Sequence, residues 1–179
     1  MFIQIEDTPN PNSLKFLPGK IVSNNGSFEV TDKDEFNNEL IRSLLSINGV
    51  EGIFLGKDFI SVNKNDSTSW ENIKHIVISL INDFYLDGKE FVIDKNLEEN
   101  TDNLEEIEKK IIKILEQKIR PAVAKDGGDI KFKEFKNGLV KVQLQGSCSG
   151  CPSSTMTLKQ GVQNLLCHYI PEVKEVEAI

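Results

Sequence analysis

Val140-Lys141-Val142-Gln143-Leu144-Gln145-Gly146-Ser147-Cys148-Ser149-Gly150-Cys151-Pro152-Ser153-Ser154 contains the transition that decides the fold of the C-terminal half. Val140, Val142 and Leu144 alternate with polar residues, the period-two pattern of a half-buried strand. Pro152 suits a first helical position, and Leu158, Val162, Leu165, Leu166 and Tyr169 then recur at helical spacing. Between strand and helix stands a C-x-x-C pair, a placement suited to holding a metal centre or to thiol chemistry.

Working outward, Asn137-Gly138 is a strong two-residue hairpin signal, and Ile130 and Phe132 alternate with lysines on the incoming strand. Gly127-Gly128 turns the chain before it. Upstream, Asp102-Asn103-Leu104-Glu105 opens a helix whose apolar face is Leu104, Ile107, Ile111, Ile114 and Leu115, and Pro121 is expected to end it. Pro171 stops the later helix, and residues 173–179 can add a last strand. The half therefore reads as two helices packed on one face of a three-stranded mixed sheet.

Residues 94–103 are polar and acidic with one large apolar residue, Leu97, so they read as a flexible linker that lets its neighbours reorient. This divides the chain into domains at 1–93 and 104–179, an α+β protein of two small domains. In the first domain, residues 2–5 and 13–16 are expected strands on either side of Thr8-Pro9-Asn10-Pro11-Asn12, whose prolines exclude regular helix or central strand. That segment suits either a rigid turn or a docking loop. Phe36, Leu40, Leu44 and Ile47 mark a helix over 35–46, and residues 49–55 and 59–62 form a hairpin across Gly56-Lys57-Asp58. Thr68-Ser69-Trp70-Glu71 starts a second helix with an apolar stripe from Ile73 to Phe84, and residues 90–93 can close the domain as a strand.

Of the 179 residues, 39% are apolar and 27% charged, ordinary for a globular chain. The first domain carries 8 basic and 14 acidic residues, the linker 1 and 4, and the second domain 12 and 10. The net charge of −7 thus belongs to the first domain and the tether. No apolar run approaches the roughly 20 residues that span a bilayer, and neither a membrane nor a nucleic acid is an expected partner. The N-terminus lacks the patterns of a secretory signal or transit peptide. A bacterial cytosol is the expected setting, with the mitochondrial matrix as the alternative if a transit segment has been removed.

Three cysteines in an unexported chain argue against a disulfide framework. As inert core residues, Cys148 and Cys151 would be poorly served by a glycine- and serine-rich loop that offers little burial. As a thioredoxin-like redox pair they have a suitable strand-to-helix position, yet only 28 residues follow Cys151, too few for the rest of such a sheet. Zinc would want four ligands. Cys167 and His168 lie roughly 20 Å along the next helix at 1.5 Å per residue, His75 is distant in sequence, and both histidines suit helix surfaces or interfaces. An iron–sulfur cluster takes four thiolates, which two copies of the loop related by a twofold axis would supply. Gly146 and Gly150 leave space for a second backbone, and loop N–H groups can donate to anionic sulfurs.

The residues also carry a family resemblance. Asp126-Gly127-Gly128-Asp129-Ile130, Leu144-Gln145-Gly146, the run from Cys148 to Thr155, and Gly161-Val162-Gln163 through Ile170-Pro171-Glu172-Val173 resemble the NifU-like C-terminal domain of Nfu iron–sulfur carriers. Residues 1–88 resemble the Nfu N-terminal domain through Asp7-Thr8-Pro9-Asn10-Pro11-Asn12-Ser13-Leu14-Lys15-Phe16, Gly19-Lys20, and the stretch from Gly52 to Ile60. The resemblance implies a carrier, not an enzyme, that accepts a cluster from upstream assembly proteins and delivers it to recipient apo-proteins. [4Fe–4S] is preferred over [2Fe–2S], and the loaded form is a homodimer. By motif position Cys148 and Cys151 are the cluster and iron ligands. Cys167 falls outside the motif, and the N-terminal domain is expected to make partner contacts. Asp126 to Asp129 reads as a tight turn that needs glycine freedom, in preference to a direct cluster contact. A thiol–disulfide oxidoreductase and a zinc-stabilised interaction module are the competing readings.

Overall fold

The computed structural model describes residues 2–90, 104–150 and 152–179, the side chains of 152–154 excepted. Two sheets, each with its own apolar core, make up the fold. The first is five-stranded and antiparallel, in the order β1 (Gln4–Asp7), β2 (Ser13–Leu17), β5 (Ile60–Lys64), β4 (Val50–Leu55), β3 (Phe28–Val30). Period-two alternation places Leu14, Phe16, Ile53, Leu55, Ile60 and Val62 on one face. There they join α1 (Glu39–Leu45) and α2 (Trp70–Leu86) in a core completed by Leu40, Ile41, Leu44, Val77 and Ile81. Asn38 and Ser69 cap the two helices by accepting from the Ile41 and Glu71 N–H groups.

The β4–β5 hairpin forms as its sequence predicts, with an irregularity between Val50 and Gly52. The first strand lies two residues later than the expected 2–5. The short β3 carries no periodicity long enough to announce it, which is why the sequence does not predict it. Residues 91–93 of the expected closing strand, and the expected linker at 94–103, lie outside the described residues.

The second sheet has the order β6 (Gly128–Lys136), β7 (Leu139–Gly146), β8 (Glu175–Ala178), antiparallel then parallel. This is the mixed sheet expected, with α5 (Pro152–Tyr169) crossing back between β7 and β8. Asn137 and Gly138, at φ 53° and 82°, form the two-residue turn of the β6–β7 hairpin.

Pro121 does not end the preceding helix. α3 (Glu106–Ile114) runs through a π-helical segment, Leu115–Ile119, into α4 (Arg120–Lys125). Proline lacks the N–H that an α-helix would require at this point, and its ring crowds the turn before it. The π-segment widens that turn by a residue, the Arg120 N–H bonding to the Leu115 carbonyl, and the helix continues past the ring. Among the described residues no helix is long and apolar enough to cross a membrane.

Candidate functional site

The cysteine loop is built from the ends of two strands. Gly127, at φ 81°, turns the chain from α4 into β6, and Gly128 pairs with Gly146 where β7 stops. Gly128 has little space around it: a Cβ there would lie 2.6 Å from the Gln145 carbonyl oxygen and 2.7 Å from the Cys148 Sγ. The missing side chain of Gly128 is what makes room for the thiol. Gly146, at φ 68°, continues β7 into the loop in a conformation that glycine adopts without penalty.

Polar contacts then fix the loop. The Ser147 N–H donates to the Gly127 carbonyl at 3.2 Å and its hydroxyl to the Asp126 carbonyl. The Ser149 N–H and hydroxyl both donate to the Gly146 carbonyl, at 3.2 and 2.8 Å. Thr155, in the first turns of α5, donates to the Cys148 carbonyl at 3.3 Å.

Cys148 is 6% exposed and belongs to the core of Val123, Ile130, Leu144 and Val162. This corrects the expectation that a glycine- and serine-rich loop offers little burial: the two strand ends fold the loop inward, and Gly128 accepts the thiol. Cys148 also borders a cavity of about 690 Å³ lined by Ile119, Val123, Leu158, Val162 and Pro9. Cys151 lies outside the described residues. Cys167 sits on α5, half-buried against the same core, and His75 and His168 are exposed. Among the described residues no three His, Cys, Asp or Glu side chains cluster as a metal site.

Two functional neighbourhoods escaped the sequence. The first is the ion pair of Arg120 with Asp129, bidentate at 2.9 and 2.8 Å. Asp129 is 5% exposed and also accepts from the Ile130 N–H, so the Asp-Gly-Gly-Asp turn is tied to α4 by its last residue. Arg120 is one of two arginines beside 19 lysines, and that scarcity was the available signal. Arg120→Ala would leave the Asp129 carboxylate without a cation, with the Ile130 N–H and the Ser27 hydroxyl as its remaining donors. Because the guanidinium is about a third exposed, we expect a loss of about 2 kcal/mol, less than a fully buried pair, visible as a lower unfolding midpoint by circular dichroism. An unchanged midpoint would show that solvent replaces the guanidinium.

The second neighbourhood is the outer face of the first sheet. Its residues Lys15, Ser61, Asn63, Phe54 and Glu29 alternate with the core residues along their strands. In the structure they lie against the cysteine loop. The Asn10 amide donates to the Ser147 carbonyl at 3.1 Å, the Ser61 hydroxyl to Gly127 at 2.7 Å, and the Asn63 amide to Gly146 at 3.1 Å. Lys15 reaches the Lys125 carbonyl at 3.3 Å, and Ser27 donates to Asp129. Glu29 accepts from the Gly146 N–H at 3.0 Å and lies 3.1 Å from the Ser149 hydroxyl, whose one proton it shares with the Gly146 carbonyl. The Thr8 to Asn12 segment is a turn held by its own hydrogen bonds: the Thr8 hydroxyl lies 2.9 Å from both the Asn10 and Ser13 carbonyls, which share its proton, and the Asn12 N–H donates to the Asn10 side chain. Free reorientation of the two units would have to give up all of these contacts.

Both halves of the chain match known families. A family model described as "Scaffold protein Nfu/NifU N terminal" matches residues 3–88, and one described as "NifU-like domain" matches residues 111–177. The human protein named NFU1 iron-sulfur cluster scaffold homolog, mitochondrial, is 44% identical over the whole chain, which spans 72% of that relative. NifU-like protein 4, mitochondrial, of Arabidopsis thaliana is 43% identical over 99% of the chain, and the chain spans 65% of its length. The solution structure of a NifU-like protein from Saccharomyces cerevisiae aligns with 53% of this chain and 87% of its own, at 27% identity and a TM-score of 0.48. The chain belongs to the Nfu family of iron–sulfur cluster scaffold proteins.

Proposed function

We propose that the chain is an iron–sulfur cluster carrier that holds its cargo on Cys148 and Cys151, with the same pair from a second copy completing four thiolates. The cargo is [4Fe–4S] in preference to [2Fe–2S], received from assembly proteins and passed to apo-proteins without turnover of a substrate. One observation carries the reading: the C-x-x-C spacing falls at a strand-to-helix junction inside the segment matched by the NifU-like model. The names of the relatives support the cargo, and their mitochondrial designation supports the matrix alternative for the compartment. We further propose the division into domains 1–93 and 104–179 with a linker at 94–103.

Anaerobic reconstitution with ferrous iron and sulfide tests this directly. The carrier reading expects Mössbauer and absorption spectra of a cluster at about one per two chains. A zinc module or an oxidoreductase would give no cluster spectrum under these conditions; the first would bind added zinc without colour, and the second would form a disulfide on adding an oxidised thiol reagent. Cys167→Ala is expected to load as well as the unsubstituted chain, because a rise of about 1.5 Å per residue carries Cys167 well down α5 from the loop. Loss of the cluster in that variant would place Cys167 at the site.

A further inference from the structure

We propose that the outer face of the first sheet is a reversible cap for the cysteine loop, in which the Glu29 carboxylate occupies donors that the loop would offer an anionic cluster. This rests on the carrier reading above. Gly146 and Ser149 flank Cys148 on both sides, and the same oxygen of Glu29 accepts from the Gly146 N–H and competes with the Gly146 carbonyl for the Ser149 hydroxyl proton. Ser149 is an interior residue of the C-x-x-C, so this contact pins the middle of the motif. Asn10, Ser61 and Asn63 meanwhile donate to the carbonyls of Ser147, Gly127 and Gly146, the backbone that leads into the loop and the turn beneath it. Phe54 is buried at the centre of the face, and a Cβ on Gly146 would lie 2.9 Å from its ring. Pro9 adds a wall to the cavity beside Cys148.

A second copy's loop would need to approach this same backbone closely enough for four thiolates to share one cluster. The cap and the second copy therefore compete for one face of the loop. In the empty state the contacts of Asn10, Ser61, Asn63 and Glu29 hold the cap in place. A bound cluster, itself anionic, repels the Glu29 carboxylate and claims its donors. The occupant of the sheet face is thus the chain's own loop before loading, and loading exchanges it for a second copy.

The test uses the full chain, unsubstituted and as Glu29→Ala, with Glu29→Gln as a second variant that keeps an acceptor oxygen and loses the charge. Without a cluster, the unsubstituted chain is expected to show one rotational correlation time for both units by 15N relaxation. Glu29→Ala, which leaves the contacts of Asn10, Ser61 and Asn63 in place, is expected to show shorter correlation times than the unsubstituted chain and to load cluster faster, by about tenfold, the factor that losing one hydrogen bond to a charged acceptor allows. Glu29→Gln should fall between them. Separate correlation times in the unsubstituted chain would overturn the cap, as would equal loading rates in all three. Absence of loading in every chain would overturn the carrier reading, while the correlation times would still decide the cap.

Discussion

Gly128→Ala is expected to destabilise the second domain by about 2–3 kcal/mol, in the upper part of the range for overpacking a well-filled site. The added methyl meets two different obstacles at once, the Gln145 carbonyl at 2.6 Å and the Cys148 Sγ at 2.7 Å. The first is backbone of the paired strand, so it yields only if the end of the β6–β7 ladder opens. The second yields only if the thiol leaves its pocket. Either response separates the loop from the turn that holds it, so the variant should also react faster with alkylating agents at Cys148. Gly161→Ala is the matched control: it lies within α5 with nothing within 4 Å of its added Cβ, and alanine there should be neutral or stabilising by up to about 1 kcal/mol. Equal unfolding midpoints and equal thiol reactivity in the two variants would show that Gly128 is not the seat of the thiol.

The second large effect is on the cargo. Cys148→Ala with Cys151→Ala is expected to abolish cluster binding, since it removes every thiolate of the proposed set from both copies. The fold should survive, because alanine fills most of the space of the Cys148 side chain in its apolar pocket. Each single variant should also fail to keep a cluster, as only about two thiolates per cluster would then remain. Retention of cluster absorption by the double variant would remove both residues from the site.

The fold was legible wherever periodicity ran long enough. The β4–β5 hairpin, the β6–β7 hairpin with Asn137-Gly138, and most of the stripes of α2 and α5 follow from spacing alone, although Ile76 and Tyr169 of those stripes are exposed, at 38% and 49%. Two features were hidden for physical reasons. Pro121 reads as a helix stop in one dimension, whereas a π-turn lets the backbone step around the ring without ending the helix. The polar face of the first sheet reads as solvated because Lys15, Ser61 and Asn63 alternate with apolar residues as exposed residues do. Lys15 and Ser61 are in fact 7% and 0% exposed, covered by a separate unit whose arrival has no signature in strand alternation.

The site divides in the same way. Cys148 and Cys151 stand out by spacing, and Gly127-Gly128 by the turn it forces. Glu29 gives no sign of itself, because it lies on a three-residue strand and its importance comes from hydrogen bonds to residues 117 and 120 positions away. The burial of Cys148 was equally unreadable, since it depends on an open position at Gly128, which the sequence shows only as a glycine in a turn.

The central claim is that one cluster is shared by two copies through the same cysteine pair. Native mass spectrometry of the anaerobically loaded protein tests it most directly. The account predicts a species of two chains carrying one cluster, replaced by single chains when the cluster is removed by a chelator. A single chain holding a complete cluster, or a two-chain species that persists unchanged without iron and sulfide, would contradict it.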